Sequence, residues 1–219
     1  MQKVYPILVV AAVLLFGAAP LVIAQAPFEA TMGLVQKIFY YHVPAAMVMF
    51  LAALLCGAAS ALFLFRNNAR ADRLAVAAAE LVVIFGLIVL VTGPLWARKA
   101  WGVWWQWDAR LTSTLLMWMI FVAYLLVRRF GGPGAEKLSA AMAVFGMANV
   151  PCVYISVNIW RTIQPTTRVV PTLAPGMRGA FWFCVVAFMV LFALLLAARA
   201  RLEQRRAEVE HLYLLADEE

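Results

Sequence analysis

The residues best suited to chemistry are a histidine in an apolar setting and a cluster of tryptophans. His42 lies in the stretch Phe39-Tyr-Tyr-His-Val-Pro44, at the start of a long apolar run. Ionisable residues at membrane depth are costly and often functional, and an imidazole at a helix start among aromatic rings suits an axial ligand of haem iron. The alternative is an interfacial histidine that forms a hydrogen bond with a neighbour. The second histidine, His211, lies in a charged tail, where we expect it to be solvated.

Four of the eight tryptophans lie within seven residues, in the stretch Trp101-Gly-Val-Trp-Trp-Gln-Trp-Asp-Ala-Arg-Leu-Thr112. A membrane–water interface suits such density, because one edge of each indole can be apolar while the other is wet. If the segment is helical, the i, i+3, i+4, i+7 spacing places four residues on one face as a flat apolar shelf: Trp101, Trp104, Trp105 and Asp108. Trp107 and Arg110 would then point elsewhere. The alternative is an ordinary aromatic belt, although a belt scatters its tryptophans over several helix ends.

A flat aromatic shelf, an imidazole and nearby arginines together match haem. Haem is a flat π-system whose iron takes histidine and whose two propionates take arginine. From charge and placement, Arg161 and Arg168 are the candidates for the propionates. A quinone would also stack on tryptophan, but it would not need so many cations.

Membrane-spanning helices must position these residues. Of the 219 residues, 66% are hydrophobic and only 13% are charged, against roughly 25% charged in soluble domains. Six apolar runs approach the ~20 residues that a span requires, at residues 4–24, 38–65, 74–95, 112–128, 138–158 and 179–200. The first run is longer than that of a signal peptide, so we expect a retained helix. We therefore predict an all-α integral membrane protein, with residues 1–219 forming a single six-helix transmembrane domain and a cytoplasmic tail from about 201 to 219.

The distribution of Lys and Arg predicts the orientation of these spans. Eleven lie in the segments on the side of both termini and seven on the other side, so both termini are expected in the cytoplasm. Two external loops nevertheless carry three basic residues each, which suggests an anionic ligand; snorkelling at helix ends is the alternative. The three cysteines lie in apolar runs without a CxxC or CxxCH motif, so the chain is not a c-type cytochrome by that signature.

Two stretches of the chain resemble motifs of a known protein family. Val91-Thr-Gly-Pro94 and the stretch from Trp101 to Ser113 resemble the WWD signature of the haem-handling membrane proteins of cytochrome c maturation, with a haem-binding segment at about residues 96–113. Tyr41-His-Val-Pro-Ala45 is similar to the first external histidine motif of that family. The six-span length resembles the heme exporter protein C (CcmC) family more than the longer CcmF or CcsA-type relatives.

The resemblance, which covers nearly the whole chain, implies a function and partners. Haem b would be a transient cargo on the periplasmic face of a bacterial inner membrane, handed to the haem chaperone CcmE. The ABC transporter subunits CcmA and CcmB and the small membrane protein CcmD would be further partners. This is delivery rather than bond-making, so we do not expect a conventional enzyme. The site residues that the matching motifs imply are His42 as iron ligand, with Trp101, Trp104, Trp105, Trp107, Asp108 and Arg110.

The sequence departs from the family pattern at one position. A second external histidine follows the fifth span in the family, and the matching residue in Trp160-Arg-Thr-Ile-Gln-Pro165 is Gln164. Glutamine is a poor iron ligand beside imidazole, so a two-histidine arrangement is not carried over, and Gln164 is expected only at the lip of the site. Two rival functions stay open: a haem-independent scaffold subunit of a transporter complex, and a quinone-binding membrane oxidoreductase subunit.

Overall fold

The computed structural model describes residues 4–30, 32–160 and 170–217, and it confirms the predicted all-α membrane protein. In these ranges a short 3-10 helix, Leu34–Ile38, precedes the second of six α-helices. All six α-helices are long and apolar enough to cross a membrane, so the chain is a multi-pass membrane protein. The helices are α1 Val4–Gln25, α2 Phe39–Arg66, α3 Ala69–Trp101, α4 Ala109–Phe130, α5 Ala135–Ile159 and α6 Pro175–Asp217.

The helices run up and down through the bundle, so that their ends form two faces. The C-terminal ends of α1, α3 and α5 share one face with the N-terminal ends of α2, α4 and α6. This face carries residues 102–108, which we call the tryptophan loop, and we call the face itself the tryptophan end. The opposite end holds the tight turn between α2 and α3, where Asn67 adopts the left-handed conformation and the Asn68 side chain caps α3.

The centre of the bundle is the packing of α2 against α3, with α5 and α6 also in contact with α2. Small residues line this contact and allow the two backbones to approach closely. Ala52 and Ala53 of α2 and Ala75 and Ala78 of α3 are completely buried. α4 packs on α5, and α1 packs on α6, so α2 and α3 form a fixed frame for the residues at the tryptophan end.

Polar contacts between helices pair several charged and amide side chains within the spans. The Arg128 guanidinium of α4 binds the Asp72 carboxylate of α3, with 2.6 Å between Nη2 and Oδ2. Glu80 of α3 pairs with Arg199 of α6, so this carboxylate within a span has a cationic partner. Asn149 of α5 donates to the Ser113 carbonyl at 2.9 Å, as expected of an interhelical amide.

Two helices extend furthest beyond the C-terminal ends of their predicted spans. α3 continues to Trp101, six residues beyond the predicted end of its span, and α6 continues through the charged tail to Asp217. The extension of α6 includes the i,i+4 ion pair between Arg199 and Glu203, at 3.3 Å. Such pairs support a helix that leaves the apolar region, where packing no longer holds it.

Candidate functional site

A cavity of about 500 Å³ lies at the tryptophan end, between α2, α3, α4 and α5. Its size falls in the range of ligand pockets, roughly 300–1,000 Å³. Most of its wall is apolar. The cavity extends along α2 from Phe39, at the start of the helix, to Phe50, eleven residues further on. The wall also carries a small set of side chains with polar groups: His42, Trp96, Trp105, Arg110, Thr114 and Tyr154.

His42 lines the cavity from the first turn of α2, and α3 holds its ring in place. The imidazole Nδ1 lies 2.8 Å from the hydroxyl oxygen of Thr92. Gly93 allows the ring to approach α3, because a Cβ at that position would lie only 3.3 Å from the His42 Cε1 atom. With Nδ1 turned toward Thr92, the opposite nitrogen, Nε2, is the one that remains to bind a ligand.

The tryptophan loop is not helical, so the predicted shelf of Trp101, Trp104, Trp105 and Asp108 on one helix face is wrong. Gly102 adopts a φ of 76°, which ends α3, and its N–H donates to the Arg98 carbonyl. A residue without a Cβ enters this left-handed conformation without steric cost. α4 does not begin until Ala109, so the i, i+3, i+4, i+7 spacing has no structural meaning here.

The four tryptophans of the stretch are instead in four different settings. Trp101 ends α3 and meets the edge of Trp96, with ring centroids 5.2 Å apart. Trp104 is 56% exposed and lies under the Arg98 guanidinium, while Trp107 is 74% exposed. Trp105 is the member of the tryptophan loop that lines the cavity. The structure therefore separates one inward indole from two outward ones.

The inward indole carries a hydrogen-bond donor without a partner among the described residues. Trp105 Nε1 is buried and makes no hydrogen bond to any residue that the structure describes. Trp107 meets the Trp105 ring edge-on at 5.7 Å. A buried indole N–H without an acceptor is costly, so an acceptor group on a bound molecule would relieve this cost.

Asp108 and Arg110, the polar members of the stretch, have different positions. Asp108 is the N-cap of α4, and its carboxylate accepts from the Leu111 N–H at 2.8 Å. This cap fixes the start of α4 and hence the place of Arg110 in its first turn. Arg110 lines the cavity, where its Nη2 lies 3.5 Å from the Tyr154 carbonyl. A guanidinium in a mostly apolar cavity favours an anionic group on the ligand.

Three predicted site residues, Arg161, Gln164 and Arg168, lie outside the described residues. Val170 and Pro171, which follow them in the chain, line the cavity. Of the described candidates, the structure brings His42, Trp105 and Arg110 to the same cavity. Trp101, Trp104, Trp107 and Asp108 do not line it.

Sequence reasoning missed the contribution of α3 and α5 to the cavity. Thr92 contacts the imidazole, Trp96 lines the wall and donates to the Gln36 amide oxygen at 3.3 Å, and Tyr154 lines the wall from α5. A signal for Thr92 was present, because a hydroxyl followed by Gly93 and Pro94 interrupts an apolar run. Its partner lies fifty residues away in the chain, so the pairing was not readable from spacing.

Comparisons with known proteins agree with this architecture. The family model described as heme exporter protein C, CcmC, matches residues 1–214. The chain is 32% identical to heme exporter protein C of Escherichia coli (strain K12) over 201 residues, which cover 86% of this chain and 80% of the relative. It is 31% identical to heme exporter protein C of Bradyrhizobium diazoefficiens over 220 residues, covering 97% and 83%.

A plant organelle protein extends the comparison. The chain is 34% identical over 143 residues to a cytochrome c biosynthesis ccmC-like mitochondrial protein of Marchantia polymorpha, covering 65% of this chain and 61% of the relative. Three findings agree: the family model matches nearly the whole chain, the chain has six candidate spans among its described residues, and it contains the WWD stretch. The chain belongs to the heme exporter protein C family of multi-pass membrane proteins.

Proposed function

We propose that this protein binds haem in the cavity at the tryptophan end and hands it to the haem chaperone CcmE for cytochrome c maturation. A role in haem handling for cytochrome c maturation follows from the family. The observation that carries the specific proposal is the position of His42, whose imidazole lines an apolar cavity. The Arg110 guanidinium lines the same cavity, and so does the Trp105 indole, whose N–H makes no hydrogen bond to a described residue.

Each part of haem finds a complementary group in this cavity. The apolar wall and the Trp105 ring accommodate the flat macrocycle, and the His42 imidazole binds the iron. Arg110 and the Trp105 N–H are suited to a propionate, because a guanidinium and an indole both donate hydrogen bonds. Arg161 and Arg168 remain further candidates for the propionates. The protein binds and orients the cargo, and it needs no bond-making step of its own.

In this proposal His42 is an axial ligand of haem b, and no second residue of the chain is proposed as the other axial ligand. Gln164 stands where the family pattern has its second histidine, and an amide is a weak ligand for iron beside an imidazole. A water molecule or a group from a partner then takes the second axial position. Weak second ligation suits a cargo that must leave the site.

The proposed location is the inner membrane of a bacterium, with both termini in the cytoplasm. The excess of Lys and Arg on the side of the termini supports this orientation, which places the tryptophan loop in the periplasm. The proposed complex contains the ABC transporter subunits CcmA and CcmB and the small membrane protein CcmD. In this arrangement α6 carries its charged extension, up to Asp217, toward the cytoplasmic side.

Visible absorption of the purified protein tests the haem site. Full-length protein expressed with ample haem should show a Soret band, His42→Ala should lose most of it, and His211→Ala should retain it. His211 is the matched control because it is the second of the two histidines and lies in the tail. Absence of a Soret band from the unaltered protein, or an unchanged band in His42→Ala, would contradict the proposal; bound quinone in place of haem would support the oxidoreductase alternative.

A scaffold function is the second candidate, and the exposed tryptophans favour it. Trp104 and Trp107 are 56% and 74% exposed and do not line the cavity, as expected of residues that contact a partner. Pull-down of purified CcmE with haem-replete and haem-depleted protein separates the two functions. Haem-dependent capture supports cargo transfer, whereas equal capture with and without haem supports docking alone.

A further inference from the structure

We propose that Thr92 is a positioning residue that keeps the His42 proton on Nδ1 and so leaves Nε2 free to bind haem iron. This inference rests on the proposed function, in which His42 is the iron ligand, and it specifies how α3 prepares that ligand. The two side chains come from different helices, and 2.8 Å separates the imidazole Nδ1 from the Thr92 Oγ1.

The direction of this hydrogen bond follows from a second contact of the same hydroxyl. Thr92 Oγ1 lies 2.6 Å from the Ile88 carbonyl oxygen, one turn earlier in α3. A carbonyl can only accept, so the single hydroxyl proton of Thr92 must point to Ile88. The hydroxyl oxygen can then only accept from the imidazole, and the proton of the ring must be on Nδ1.

The same contacts fix the orientation of the ring as well as its proton. The back-bond to Ile88 holds the Thr92 side chain in one rotamer on α3. Gly93 lets the imidazole lie against the helix, because a Cβ added at that position would lie only 3.3 Å from the ring atom Cε1. A neutral imidazole with its proton on Nδ1 presents the Nε2 lone pair, which is the form that a metal ion requires.

This arrangement has a known energetic role at metal sites. The second nitrogen of a ligating histidine usually donates to an oxygen, which fixes the tautomer, and loss of that oxygen typically weakens metal binding about 10–100-fold. Thr92→Val keeps the shape of the side chain but removes the acceptor. The imidazole is then free to move its proton to Nε2, where it blocks the iron.

Nitrogen NMR of haem-free protein tests the tautomer without reference to function. The chain has two histidines, so ¹⁵N-histidine labelling gives two imidazoles, and His211→Gln assigns them. We expect a protonated Nδ1 and an unprotonated Nε2 at His42 in the unaltered protein and in Thr92→Ser, which keeps the hydroxyl. Thr92→Val should lose this pattern. A proton on Nε2 in the unaltered protein, or the same pattern in Thr92→Val, overturns the inference.

Haem titration of the same variants then separates the two proposals. Thr92→Val should bind haem about 10–100-fold more weakly, Thr92→Ser should bind within a few-fold of the unaltered protein, and Ser156→Ala should be unchanged. Ser156 is the control, since its buried hydroxyl donates to the Val153 carbonyl of its own helix and does not line the cavity. Unchanged haem binding in His42→Ala would contradict the proposed function, in which His42 is the iron ligand. Weak haem binding in His42→Ala together with normal haem binding in Thr92→Val would contradict only the positioning role of Thr92. If Thr92→Val does not fold, Thr92→Ala takes its place in both measurements.

Discussion

Arg199 of α6 donates hydrogen bonds from Nε and Nη2 to the two carboxylate oxygens of Glu80 on α3. The same guanidinium reaches the Glu203 carboxylate at 3.3 Å. Glu80 lies twelve residues before Thr92 on α3, so this ion pair anchors the helix that holds the His42 ring. The pair joins α3 to α6, two helices that are far apart in the chain.

Removal of one partner of this pair should destabilise the protein more than removal of both. Glu80→Gln leaves the Arg199 charge without its main partner, and the loss is roughly 3–5 kcal/mol for a fully buried pair and less for this partly exposed one. The double variant Glu80→Gln/Arg199→Gln should recover part of the loss. Thermal unfolding in detergent, followed by circular dichroism, measures the stability of the double variant and of the single variants Glu80→Gln and Arg199→Gln. A loss of stability in the double variant equal to the sum of the two single losses would contradict the prediction.

Gly93→Ala should weaken haem binding while the fold is retained. The new Cβ would lie 3.3 Å from the His42 Cε1, so the ring must move away from α3 and from Thr92. We expect haem affinity to fall about tenfold, as for other losses of support around a metal ligand. Gly17→Ala is the control, because a Cβ there meets no atom within 4 Å. Equal haem titrations for the two variants would show that the close approach at Gly93 is unimportant.

Trp105→Phe should impair haem retention, and Trp107→Phe should not. Both substitutions keep an aromatic ring, but only Trp105 lines the cavity and has a buried N–H without a partner among the described residues. A hydrogen bond to a charged group such as a propionate contributes about 1.5–3 kcal/mol, which corresponds to at least a tenfold change in the dissociation constant. Fluorescence-quenching titration with haem measures both variants. Similar dissociation constants would exclude a contact between the indole N–H and the cargo.

Asp108→Ser should keep the thermal stability that Asp108→Ala loses. Serine caps a helix N-terminus as aspartate does, whereas loss of the cap costs about 0.5–2 kcal/mol. The Asp108 carboxylate accepts from the Leu111 N–H, and this cap positions Arg110. We therefore expect normal haem titration and thermal stability in the serine variant and lower stability in the alanine variant. Equal loss of haem binding in both variants would assign a direct role to the carboxylate charge.

Gln164→His should strengthen haem retention and shift the visible spectrum toward a six-coordinate form. In the proposed function Gln164 replaces a second histidine of the family pattern, and an imidazole there would supply a second axial ligand. Haem-loaded Gln164→His and Gln164→Asn are compared by absorption and by the rate of haem loss to an acceptor protein. An unchanged spectrum in Gln164→His would mean that residue 164 is not an axial position.

The sequence by itself determined the membrane class, the six spans and the family. Each of these depends on local composition: the spans are apolar runs of sufficient length, and the WWD stretch is a contiguous motif. The sequence also predicts His42, Trp105 and Arg110 as site residues, because each belongs to a contiguous motif.

Only the tertiary structure decided which of these residues share a cavity. A regular spacing of tryptophans predicted one helix face, but the turn at Gly102 ends α3 and directs Trp105 inward and Trp107 outward. The contact between His42 and Thr92 depends on the rotation of α2 and α3 about their axes. In a helix that is apolar on all sides, as a membrane span is, the sequence has no polar face to reveal that rotation, so interhelical packing alone sets it.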